Sequence, residues 1–146
     1  MHETLRHALR HAVIYSDRRN YCLVHLPPRA ITAAAAVLAE NGEPFSAIIV
    51  DKDEVTLVLE AASLEDFARR LPGHQEACDY RLLTFDLPLE HTLVGFLSAV
   101  STCLAQQDIS IMALSAYQRD HLLIPAAHFD RAIAAIRELQ SEAGEP

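Results

Sequence analysis

Ile109-Ser110-Ile111-Met112-Ala113-Leu114-Ser115-Ala116-Tyr117-Gln118-Arg119-Asp120-His121-Leu122-Leu123-Ile124 is the stretch that decides the fold. Residues 109–116 make one largely apolar run and residues 120–124 a second, with Gln118-Arg119 between them. Two apolar runs joined by a short polar turn predict a β-hairpin. Downstream, Phe129, Ala132, Ile133, Ile136 and Leu139 recur at helical spacing and predict a closing amphipathic helix. Upstream, Leu93, Leu97, Val100 and Leu104 mark the stripe of a helix over residues 91–107, widened by Phe96 and Cys103. A strand over residues 80–85 comes before it and ends at Asp86-Leu87-Pro88. The order is therefore strand, helix, strand, strand, helix.

The same order stands earlier in the chain. A strand over residues 21–26 stops at Pro27-Pro28, because proline cannot continue a sheet ladder. The Ala-rich segment 30–39 predicts a helix, closed by Asn41-Gly42. Strands over 45–50 and 54–59 flank the turn Asp51-Lys52-Asp53. A helix over 63–71 follows, with Ser63 and Asp66 at capping-box spacing and Pro72-Gly73 as its stop. Aligned at the hairpins, Val50 falls on Ala116 and Glu54 on Asp120. The second copy carries several more residues around its first helix. Three strands with one helical face are marginal alone, so the two halves are expected to share a core. The predicted division is a leader with a short helix over 1–19, a first half over 20–73, a polar connector, a second half over 79–140, and a flexible tail over 141–146.

The 146 residues carry a net charge of −8, which repels nucleic acid and anionic membrane surfaces as partners. Cys22, Cys78 and Cys103 are odd in number and lack CxxC spacing, so free thiols in a reducing compartment are expected. The N-terminal residues lack an apolar core of signal-peptide length, and no apolar stretch is long enough to span a membrane. Cytoplasmic localisation is the expectation.

Catalytic constellations are weak. Four glycines and no Gly-rich fingerprint argue against a phosphate cradle. His7 and His11 share a helix face without a visible third ligand, so no metal is expected. His121 and His128 flank a strand end and a helix start, where they are titratable near neutral pH. Asp51, Asp53 and Glu54 crowd a turn, and Glu65-Asp66 sits at a helix start where the helix dipole already favours acidic residues. Two features stand out instead. Gly95 opens the best helix at a cost of about 1 kcal/mol against alanine. It suits either tight packing or the approach of a ligand, and the free amides there can hold an anion. The other is the polar turn 115–120, where Asp120 can hold an ammonium group or simply face solvent.

Val94-Gly95-Phe96-Leu97, Leu104-Ala105, Ile109-Ser110-Ile111 and the run from Leu114 to Ile124 together resemble an ACT domain. They are similar to tandem ACT-like proteins such as the CASTOR-type arginine sensors and the regulatory regions of aspartate kinases. Phe45-Ser46 and Asp53-Glu54-Val55-Thr56-Leu57-Val58 resemble the preceding half more loosely. The resemblance implies an α+β fold of two tandem ferredoxin-like (ACT-like) βαββα units, with antiparallel sheets and helices on one face. It implies a regulatory module that binds a small molecule, an amino acid above all, with no catalysis and no cofactor, working as a homodimer. Carried over by position, Val94 and Gly95 meet the ligand's backbone, while Ala116, Tyr117 and Asp120 line the pocket. Ser98 stands where the arginine sensors carry a carboxylate, which argues against a guanidinium ligand. The alternatives are a structural or partner-binding domain and, more distantly, an enzyme on the same fold.

Overall fold

The computed structural model describes residues 1–42, 44–90 and 92–145. In chain order the elements are α1 (Glu3–His11), β1 (Ile14–Tyr15), β2 (Asn20–Leu26), α2 (Ile31–Asn41), β3 (Ala47–Val50), β4 (Val55–Glu60) and α3 (Ala61–Phe67). Then come β5 (Gln75–Phe85), α4 (Phe96–Gln106), β6 (Met112–Ser115), β7 (Asp120–Pro125) and α5 (Phe129–Gly144). The chain divides into two compact units: Arg19–Tyr80, and Met1–Arg18 together with Arg81–Pro146.

In the unit 19–80 the strands run in the order β3-β4-β2, with β5 next to β2. The pairing of β2 with β4 is antiparallel and sets Cys22 opposite Leu59, Val24 opposite Leu57 and Leu26 opposite Val55. Alternation puts those six side chains on one face. There they form a core with Ala34 and Val37 of α2 and Leu64 of α3. Both helices therefore cover the same face of this sheet.

In the other unit β7 lies between β5 and β6, and β1 also pairs with β5. Leu83 and Phe85 of β5 and Leu122 and Ile124 of β7 supply the sheet's share of the core. Phe96, Val100 and Leu104 of α4 pack on it, with Phe129, Ala132 and Ile136 of α5. The rings of Phe85 and Phe96 meet edge to face, 5.1 Å between centroids, an arrangement aromatic pairs favour. Leu9 and Ala12 at the end of the leader belong to the same core. The Gln140 side-chain amide donates to the carbonyls of Leu9 and Ala12 at 2.8 and 2.7 Å, satisfying groups that a helix end leaves open.

The structure differs from the sequence reading at several points. The polar connector is strand: β5 begins at Gln75, although Gln75, Glu76, Ala77 and Asp79 are exposed. Backbone pairing holds this segment, so side-chain polarity misleads. Asp79 has a φ of +66°, a left-handed conformation that Asp tolerates better than most residues. Cys22 and Cys78 form a disulfide, with Cα atoms 4.0 Å apart, where free thiols were expected. The compartment argument drawn from free cysteines therefore loses its support. Cys103 alone is free. α4 starts at Phe96; of the predicted first turns, residues 92–95 are not helical and His91 lies outside the described residues. α3 starts at Ala61 and no side chain caps it, so the Ser63–Asp66 spacing makes no capping box. α5 continues to Gly144 through a buried Ala143, into the segment expected as a tail.

Candidate functional site

Gly95 sets the geometry of the site. It is the N-cap of α4 at φ +95°, in the left-handed region that favours glycine. A side chain there would also meet Leu5, whose Cδ2 would stand 3.1 Å from the added carbon. The helix is thus free to begin with its first amides, those of Phe96, Leu97 and Ser98, outside the intrahelical ladder. Those amides and the helix dipole favour an anion.

The β6–β7 turn faces this helix start across a cavity of about 320 Å³. Its lining includes Gly95 and Ser98 on the helix side and Ala116, Tyr117 and Asp120 on the turn side. The turn is closed by the Ala116 amide donating to the Arg119 carbonyl at 2.9 Å. The Ser115 hydroxyl donates to Asp120 Oδ1 at 2.7 Å, which orients that carboxylate. Arg119 is committed elsewhere, to Asp86 at 2.9 Å. The Leu89 amide donates to the Gln118 carbonyl at 2.7 Å and ties the segment before α4 to the turn. Anion-favouring amides, a carboxylate and Glu90 on one lining can bind a small zwitterion.

Five of the six residues singled out in the sequence share this lining, and Val94 does not. It is 83% exposed and borders a second cavity, of about 1020 Å³. That cavity lies between α1, through Leu5 and Ala8, and the segment before α4, through Leu87, Pro88, Leu89 and Leu93. Sequence reasoning missed it because α1 carries no mark of its partner beyond an apolar stripe.

Of the remaining candidates, His7 borders the larger cavity. His121 shares a 2.8 Å hydrogen bond with Thr84, and burial, ahead of neighbouring charges, pushes its pKa down. His128 has a buried Nδ1 with no hydrogen-bond partner among the described residues. Neither borders either cavity. His7 and His11 stack at 4.1 Å, and no metal-ligating cluster of three occurs among the described residues. The Cys103 thiol donates to the Ala135 carbonyl, and burial raises its pKa. Among the described residues no helix is long and apolar enough to cross a membrane.

Comparison with known proteins finds one matching family profile and a set of similar folds. The profile of the ACT domain matches residues 75–138. No curated protein matches the chain. Among solved structures, the regulatory subunit of aspartate kinase from Thermus flavus superposes at a TM-score of 0.69. It shares 14% identity, over 88% of this chain and 98% of that one. A Vibrio cholerae protein of unknown function, described as a possible transport protein, gives 0.66 at 22% identity, over 91% and 94%. The aspartate kinase of Clostridium acetobutylicum gives 0.67 at 14% identity, over 86% of this chain and 34% of the enzyme. The chain thus spans about a third of that enzyme's length. At these identities the likeness establishes the α+β, antiparallel, ferredoxin-type fold.

Proposed function

Because the chain carries an ACT domain over residues 75–138, we propose that it is a regulatory module that binds an amino acid and catalyses nothing. The observation that carries this reading is the 320 Å³ cavity between the start of α4 and the β6–β7 turn. The ligand's carboxylate would accept from the amides of Phe96, Leu97 and Ser98 beside Gly95. Its ammonium group would sit against Asp120, already turned by Ser115. Ala116 and Tyr117 would close the turn side. Ser98 offers no charge to a guanidinium, which leaves Glu90 as the carboxylate of this lining beyond the one assigned to the ammonium group. The terminal strand β3, with Ile49 and Val50 exposed, supports assembly as a homodimer through an open edge.

The test is a thermal-shift screen of the purified protein against the twenty amino acids, followed by titration calorimetry of any hit. Asp120→Ala should weaken binding roughly 10- to 100-fold, the worth of a hydrogen bond to a charged group. Its melting temperature without ligand should change little, because Asp120 opens β7 and its bond to Ser115 is at an exposed position. Unchanged affinity would remove Asp120 from the site, and silence across all twenty amino acids would sink the reading. A second reading, a partner-binding domain, is favoured by the exposure of Val94 (83%) and Tyr117 (79%). It predicts assembly with another protein in the absence of any small molecule.

A further inference from the structure

The larger cavity has no role in the reading above. Its lining sets Leu5, Leu87, Leu89 and Leu93 beside Glu3 and His7, with more apolar than polar surface, and its 1020 Å³ is the size of a small-molecule site. The smaller cavity is bordered by backbone amides, hydroxyls and carboxylates. Both linings include Leu89, Glu90, Leu93 and Gly95. The two cavities therefore adjoin, and at Gly95 the boundary between them is bare backbone, where an added side chain would meet Leu5 of α1. A polar chamber that adjoins a more apolar one matches an amphipathic molecule.

We propose that the larger cavity receives the apolar part of the same ligand, so that the ligand is an α-amino acid bearing a bulky apolar group. The inference rests on the amino-acid reading of the smaller cavity and adds a specificity to it. α1 then becomes part of the site, because without it the apolar chamber lacks one wall. Gly95 has a second use: any larger residue would push Leu5 into the space the ligand needs.

The test is calorimetric titration of the full chain with glycine, alanine, leucine and phenylalanine, and with 3-phenylpropionate, which lacks the ammonium group. Affinity should rise along the amino-acid series by about fourfold per buried methylene, and phenylpropionate should compete with phenylalanine. Thr4→Asp places a carboxylate beside the apolar chamber at an exposed position on α1, away from the smaller cavity. It should weaken phenylalanine at least tenfold and leave glycine unchanged, whereas Asp120→Ala should weaken both. Equal binding of glycine and phenylalanine would overturn the inference and leave the amino-acid reading standing. Independent, non-competing binding of phenylpropionate and phenylalanine would also overturn it, by showing two sites. No binding by any amino acid would remove the amino-acid reading, and this inference with it.

Discussion

The segments β2 to α3 and β5 to α5 share one order of elements, yet they differ where the first strand hands over to its helix. In the first, β2 ends at Leu26 and α2 begins at Ile31, joined by a proline-led turn of 3₁₀ helix (Pro28–Ala30). In the second, β5 ends at Phe85 and α4 begins only at Phe96. The added residues border both cavities described above. The hairpin turns differ in the same sense. Asp51 Oδ1 spends itself on the amides of Asp53 and Glu54, at 2.8 and 2.9 Å, an Asx turn closed on itself. Glu54 pairs with His25 at 3.3 Å, whereas its counterpart Asp120 borders a cavity and is held by one serine hydroxyl. The first hairpin turns its polar groups on itself, whereas the second sets Asp120 on the lining of a cavity.

The largest effect should come from the core of the second unit. Phe85→Ala removes a ring that is 1% exposed and packed on Phe96, and should cost about 3–5 kcal/mol in urea denaturation. Leu57→Ala in the first unit removes a smaller side chain and should fall in the lower part of about 2–5 kcal/mol, below the Phe85 loss, if the second unit has the heavier core. A reversed order would break the comparison.

The next effect belongs to the first unit, the one with the staple. The Cys22–Cys78 bond closes a loop across 56 positions of sequence separation. Replacing both cysteines by alanine should cost about 2–4 kcal/mol, and a reducing agent should lower the melting temperature of the native chain but not of this variant. Hydrogen exchange should quicken first within residues 19–80. Equal quickening over residues 81–145 would show that the two units open together.

Gly95→Ala should cost about 1–2 kcal/mol for its left-handed backbone, with added strain against Leu5. Gly73→Ala is the comparison, with φ +74° and Pro27 Cδ at an ordinary contact distance of 3.9 Å from the added carbon. Its loss should be the smaller of the two by chemical denaturation. Equal losses would show that Leu5 yields freely and that the wall at Gly95 is not tight.

Much of this was legible in the residues themselves. Apolar runs broken by Pro27-Pro28, Asp51-Lys52-Asp53 and Gln118-Arg119 announce strands and turns, because turn chemistry is local. The stripe through Leu93, Leu97, Val100 and Leu104 announces α4 for the same reason. What escaped is set by distant partners. Gln75 to Asp79 read as a connector because sheet pairing, not hydrophobicity, makes them a strand. Cys22 and Cys78 gave no spacing signal because strand neighbours need not be near in sequence. The helix start shifted to Phe96 because Gly95 takes a left-handed backbone, which a hydrophobic stripe does not record. The site residues Gly95, Ser98, Ala116, Tyr117 and Asp120 were named from a resemblance; their shared lining gives that assignment a geometry, and binding measurements will decide it.

The smallest expected effect separates the two hairpins by pH. His121 follows Asp120 on β7 as Val55 follows Glu54 on β4, and Val55 is fully buried. His121 is half-buried beside Thr84, itself 6% exposed. Burial lowers its pKa from the ordinary 6.5, Asp120 opposes the shift, and Arg119 adds to it. The folded protein therefore binds this proton less readily than the unfolded chain does. As pH falls through 6.5 the unfolded chain takes up the proton first, so stability declines and then levels off below the lowered value. His121→Val alone should remove that decline but leave the buried Thr84 hydroxyl without its partner, at a cost of about 1–3 kcal/mol at pH 7.5. Thr84→Val with His121→Val should recover most of this cost, since replacing both partners by apolar groups of similar shape is nearly neutral. Urea denaturation of the three proteins at pH 7.5 and pH 5.0 gives the answer. A double variant that loses as much stability on acidification as the native chain would place the titrating group elsewhere, and His121 would then be no more pH-sensitive than Val55.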